Sequence, residues 1–121
     1  KTKKQVLPKV SESKLQQSCV KWFAMQYPKH LLFAIPNGGK RGIITAAIMK
    51  AEGTKKGIFD LMLLFPANGY HGMFIEMKSS TGKLRPEQVE FKQHCENYRY
   101  KTAVCRSLDE FTTEINNYLK L

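Results

Sequence analysis

A chain of 121 residues, 42% apolar and 25% charged, has the length and composition of one globular domain with its own core, which excludes a disordered or membrane-embedded chain. Twenty Lys and Arg against ten Asp and Glu leave a formal net charge of +10. That charge suits a polyanion, most simply a nucleic acid whose phosphates the cations neutralise; a soluble protein that is merely basic is the alternative.

The basic start KTKKQVLPK is not followed by the apolar stretch of a signal peptide, and no apolar run approaches the ~20 residues of a membrane span. A cytoplasmic setting, in a bacterial or a virus-infected cell, is therefore expected. Cys19, Cys95 and Cys105 are odd in number and far apart, which fits neither a disulfide framework nor a CxxC zinc site; buried, inert thiols are expected.

After a basic arm over 1–10, the pattern predicts a single domain over 11–121. Ser11 is placed to cap a first helix with the stripe Leu15, Cys19, Trp22, Phe23 and Gln26, ending before Pro28. HLLFAI, His30 to Ile35, reads as a strand stopped by PNGG. A second helix, Ile43 to Glu52, is expected to bury Ile44, Ala47, Ile48 and Ala51 and to end at Gly53. Two strands follow, Ile58 to Phe65 and Met73 to Lys78. Pro86 suits the first position of a third helix reaching about Tyr98, with Val89, Phe91, His94 and Cys95 available for packing. TAVCR is a short strand, and Ser107 with Glu110 forms a capping box for a last helix that turns Phe111, Ile115, Tyr118 and Leu119 inward. The sum is an α/β domain, a small mixed sheet flanked by helices.

The two central strands flank a loop centred near Asn68, so a symmetric hairpin sets Asp60 opposite Glu76, with Cβ atoms about 4.5–5.5 Å apart. Lys78 shares that face, while Leu61, Leu63, Phe65, Ile75 and Met77 populate the other. One lysine leaves the second acid uncompensated, whereas a divalent cation compensates both. Oxygen-only ligands favour Mg²⁺ or Mn²⁺ over zinc. A structural salt bridge is the competing reading, and a one-residue slip in register destroys the arrangement.

At these residues the chain resembles the PD-(D/E)xK nucleases. GIFD, fifteen residues and then EMK match the signature; SESKLQQ, PNGGKR, G-x-x-x-G-x-x-D, IEMK and GKLRPEQ resemble the VRR-NUC branch from about Ser11 to Cys105. Phe59 stands where the motif usually has proline, a position that sets backbone shape rather than supplying a ligand. The resemblance implies a restriction-endonuclease-like core with Asp60 and Glu76 as metal-binding acids, the Met77 carbonyl as a further ligand and Glu12 as the acid of the first helix. Glu12 is also accounted for as a first-turn acid complementing the helix dipole. Lys78 matches the motif lysine, suited to electrostatic stabilisation and water positioning rather than to general base. Gln88 matches the family glutamine, orienting Lys78 or the water.

PNGGKRG lacks the order of a phosphate-binding P-loop, so no nucleotide cofactor is expected. Its Lys40 and Arg41 can hold a DNA phosphate, or mark an ordinary turn; Lys55 and Lys56 are candidates to line the DNA path, and Tyr70 and His71 to touch it at the hairpin tip. The expected activity is a Mg²⁺- or Mn²⁺-dependent endodeoxyribonuclease. Its expected partner is branched DNA, four-way junctions above all, met as a homodimer through an apolar patch on the second or last helix. A flap or general repair nuclease, or a non-catalytic DNA-binding module, is the alternative.

Overall fold

The computed structural model describes residues 11–36 and 42–120. The basic arm and the Lys40 and Arg41 turn lie outside the described residues. Eight elements follow in chain order: α1 (Glu12–Gln26), β1 (Leu32–Ala34), α2 (Ile43–Ala51), β2 (Leu61–Leu63), β3 (Met73–Met77), α3 (Pro86–Asn97), β4 (Lys101–Cys105) and α4 (Leu108–Leu119).

Helix α1 starts where Ser11 Oγ accepts the Lys14 N–H at 3.1 Å, and it stops at Tyr27, ahead of a proline that cannot continue it. Its buried stripe is Leu15, Cys19, Trp22 and Phe23. Gln26, expected in that stripe, is exposed. Tyr27, one position on, takes its place, with its ring against Trp22 and Phe23, because an aromatic ring gains more from the core than a carboxamide does.

The sheet runs β1-β2-β3-β4. The pairs β1/β2 and β2/β3 are antiparallel, and β3/β4 is parallel, with α3 as the crossover such a pair requires. The β2/β3 hairpin turns through Asn68 and Gly69, both at positive φ (54° and 83°), between Ala67 and Tyr70, which exchange two backbone hydrogen bonds. This is the Asn-Gly turn whose twist matches paired strands. Strand β2 is shorter than the sequence pattern implies: Phe65 N–H turns back onto the Leu63 carbonyl, and Pro66 brings no donor to the ladder.

Alternation divides the sheet's two faces. Leu61, Leu63, Met73, Ile75, Met77, Ala103 and Cys105 meet Cys19 and Phe23 of α1 and Phe111, Ile115, Tyr118 and Leu119 of α4 in one core. On the other face Phe74 packs edge-on against Phe91 of α3, which also touches Phe59. Of the residues expected to pack from α3, Cys95 is buried and Phe91 half-buried, while Val89 and His94 remain exposed, since the helix turns only one narrow side to the sheet. Burial raises all three thiols, Cys19 and Cys95 to about 11 and Cys105 to about 12, so they are inert at neutral pH.

Helix α2 departs from expectation. Ile44, Ala47, Ile48 and Ala51 are not buried; all four are exposed, Ile44 at 78%. The core that α1 and α4 close on the sheet includes no residue of α2. No described helix is long and apolar enough to cross a membrane.

Gly57 fixes where α3 begins. It has φ +88°, and a Cβ there would stand 2.5 Å from the Glu87 carbonyl oxygen. Gly53 shares the positive φ but has nothing within 4 Å. Gly53→Ala should therefore cost only the backbone strain, about 1–2 kcal/mol. Gly57→Ala should cost about 3 kcal/mol, adding displacement of the α3 first turn. Thermal unfolding of the two variants side by side measures the difference; equal losses would show that the close approach is unimportant.

Candidate active site

The ladder pairs Leu61 with Ile75, and one further step in that register sets Asp60 facing Glu76. Asp60 lies just outside β2, held from both sides. Its carbonyl accepts the Ile35 N–H at 2.8 Å, and its Oδ2 accepts the Met77 N–H at 2.9 Å. The side chain thus stands in for a missing ladder partner. The expected register is the one observed.

Glu76 is 3% exposed. Its Oε2 accepts Gln88 Nε2–H at 2.8 Å and lies 3.4 Å from Lys78 Nζ. Its Oε1 is buried without a hydrogen-bond partner. Burial, reinforced by the charge of Asp60, pushes the Glu76 carboxyl up to about 7 against the pull of Lys78 and Gln88. Burial likewise raises Asp60, with the Met77 N–H opposing it and the Glu12 charge assisting. The burial of Glu76 and the facing charge of Asp60 disfavour ionising both acids together, and a cation between them would relieve the conflict.

The helices deliver the remaining groups by their N-termini. Pro86 opens α3, and Gln88 Oε1 accepts the Arg85 N–H at 2.9 Å while its Nε2 reaches Glu76. Gln88 therefore orients Glu76; it makes no hydrogen bond to Lys78. In the first turn of α1, Glu12 Oε2 accepts the Ser79 N–H at 3.1 Å. Glu12 lines an open cleft of about 540 Å³ together with Ser13, Gln16, Gln17, Val20, Lys21 and Asp60. Among the described residues no three His, Cys, Asp or Glu side chains form a ready metal cluster, so Glu12 stands at the rim while Asp60 and Glu76 form the pair. The Met77 side chain belongs to the core. Lys55 and Lys56 are exposed between α2 and Gly57, whereas Tyr70 and His71 sit at the other end of β3 from Glu76, away from the acids.

Sequence reasoning missed Arg106. Its Nη1 donates to the carbonyls of Ser79, at 2.8 Å, and Gly82, strapping the loop that follows Lys78. Gly82 fits under this strap: a Cβ there would meet Ser79 Oγ at 3.0 Å, Lys78 Cδ at 3.4 Å and Glu12 Oε2 at 3.6 Å. The turn residues Ser-Ser-Thr-Gly announce a loop, but nothing local signals that an arginine 27 residues away holds it.

A family model of the VRR-NUC domain matches residues 3–109. The chain belongs to the VRR-NUC family. A solved structure described as a VRR_NUC domain protein is 26% identical, with a TM-score of 0.82 over 95% of this chain and 93% of that one. No curated protein matches the chain. The family and the acid-lysine geometry together give a nuclease-type domain.

The raised Glu76 carboxyl has a consequence for stability. The folded state holds this proton more tightly than the unfolded chain, so the contribution is present below the unfolded value of 4.5 and is lost as pH rises through about 7. Integrated, this is a loss of about 3 kcal/mol in metal-free protein, and Asp60 acts in the same direction. Between pH 5 and 8, in chelator, the melting temperature of the wild type should fall relative to that of Glu76→Gln. Added Mg²⁺ or Mn²⁺ should restore more at pH 8 than at pH 5. Parallel profiles would refute a buried, proton-sharing pair.

Proposed function

We propose that this VRR-NUC domain is a Mg²⁺- or Mn²⁺-dependent endodeoxyribonuclease that acts as a homodimer on four-way junctions. The observation that carries the reading is the buried Oε1 of Glu76, which lacks a partner beside a second, half-buried acid, Asp60. The donor set fits a hard divalent cation: Asp60 and Glu76 would hold it, with the Met77 carbonyl and Glu12 as further oxygen ligands. Bound there, the ion supplies an activated water and a stabilised leaving oxygen.

The chain's own residues do the rest. Gln88 orients the Glu76 carboxylate, and Lys78, held beside Glu76, stabilises charge developing on the scissile phosphate. Affinity comes from the net charge of +10, with Lys40, Arg41, Lys55 and Lys56 as phosphate contacts. The junction preference rests on symmetry: each chain carries one acid pair, and a four-way junction needs two related cuts, which a closed dimer provides. The α4 apolar face is spent on the core. Ile43, Ile44 and Ile48 of α2, exposed at 89%, 78% and 53%, are the surface we assign to association.

Asp60→Ala and Glu76→Ala should each abolish cleavage of labelled DNA while leaving binding intact, because the cations supply affinity. Lys78→Ala should slow cleavage yet keep divalent-ion binding measurable by calorimetry. Full activity in both acid variants would sink the assignment.

Paired nicks in four-way junctions, made by a dimer, should exceed cutting of flaps and linear duplex. A monomer that prefers flaps would retain the nuclease and overturn the junction reading.

A further inference from the structure

Helix α1 turns a second face to the site. Beside its buried stripe run Glu12, Ser13, Gln16, Gln17, Val20 and Lys21, and these line the same open cleft as Asp60. Glu76, Lys78 and Gln88 are 3%, 6% and 3% exposed, and none of them lines the cleft. Of the acid pair, Asp60 is the member that opens on this cleft, beside α1. A second cleft among the described residues is lined by Val104, Asp109, Glu110, Thr113, Glu114 and Asn117: three acids and no cation, which repel a phosphate.

Resting on the nuclease reading above, we infer that the polar face of α1, Ser13, Gln16, Gln17 and Lys21, is the track for the DNA strand that is cut. Its chemistry is graded along the helix. Glu12 stands at the first turn, across the cleft from Asp60, where a bound cation would meet the scissile phosphate. Neutral donors follow, and Gln17 Nε2–H donates to Ser13 Oγ at 3.1 Å, which keeps the two side chains in one row. Lys21 stands nine residues beyond Glu12, about 13.5 Å along the axis, so its charge meets a phosphate farther along the strand without competing for the two acids. Hydroxyl and carboxamide groups contact phosphate and sugar without reading sequence. Val20, 39% exposed, adds an apolar contact between them.

The test is DNA binding in chelator, from 50 to 200 mM salt, by wild type, Lys21→Ala, Gln16→Ala with Gln17→Ala, and Thr113→Ala with Asn117→Ala in the acidic cleft. Lys21→Ala should lower the slope of log affinity against log salt by about 0.9 on duplex or 0.7 on single strands. The double glutamine variant should weaken binding about five- to tenfold at every salt with the slope unchanged, as loss of uncharged hydrogen bonds requires. The acidic-cleft variant should bind as wild type does. All five side chains replaced on α1 and in the acidic cleft are at the surface or its margin, so melting temperatures should agree. Unchanged affinity and slope in both α1 variants, in a protein that still binds and cuts DNA, would overturn the track and leave the nuclease reading standing. A wild type that binds no DNA would overturn both.

Discussion

The pairing frame between β2 and β3 is the constraint on which the site depends. An Asn-Gly turn and the alternation of buried residues hold it, and a slip of one residue would send Glu76 into the core and Ile75 toward α3. In the observed frame Ile75 and Met77 fill the space under α1 and α4, while Glu76 shares the α3 face with Phe74. Asp60 then arrives beside Glu76 and takes the Met77 N–H. Helix α4 secures the far end of the hairpin: the Tyr118 hydroxyl donates to the Phe65 carbonyl, and Asn68 Nδ2–H donates to the Tyr118 carbonyl.

Around that frame the protein holds an electrostatic conflict. Its net charge is strongly positive, yet one of its deepest polar residues is Glu76, an acid raised by burial and by the charge of half-buried Asp60 beside it. Lys78 and Gln88 relieve one oxygen of Glu76 and leave the other unmatched. A fold selected for stability alone gains nothing from such a buried group; the proposed site, which would receive a cation and a phosphate, gives it a use. Perturbed carboxyls of this kind are where local rules yield to chemistry.

The helices make the site precise. Gly57 admits the α3 first turn at backbone contact, which brings Gln88 to Glu76. Arg106 straps the Ser79–Gly82 loop, and Ser79 in turn holds Glu12. Rigid side chains supported by a second ring of hydrogen bonds are what positional chemistry demands.

Local signals were legible without a structure. The Ser11 cap, the Pro86 helix start, the loop centred near Asn68 and the alternation in the two central strands each act over a few residues, and chain connectivity carries them whatever the rest of the chain does. The pairing of Asp60 with Glu76 followed, because a tight turn transmits register along a hairpin. Packing decided the rest. The apolar period of α2 marks a face but not its destination, and that face lies outside the core that α1 and α4 close on the sheet. Gln88 was expected beside Lys78 or a water, and the docking of α3 gave it to Glu76. Arg106 left no pattern at all, since its role arises from two chain segments meeting through the sheet. Periodicity, caps and turns are written in neighbouring residues; the meeting of distant side chains depends on how whole elements pack, and only the tertiary structure decides it.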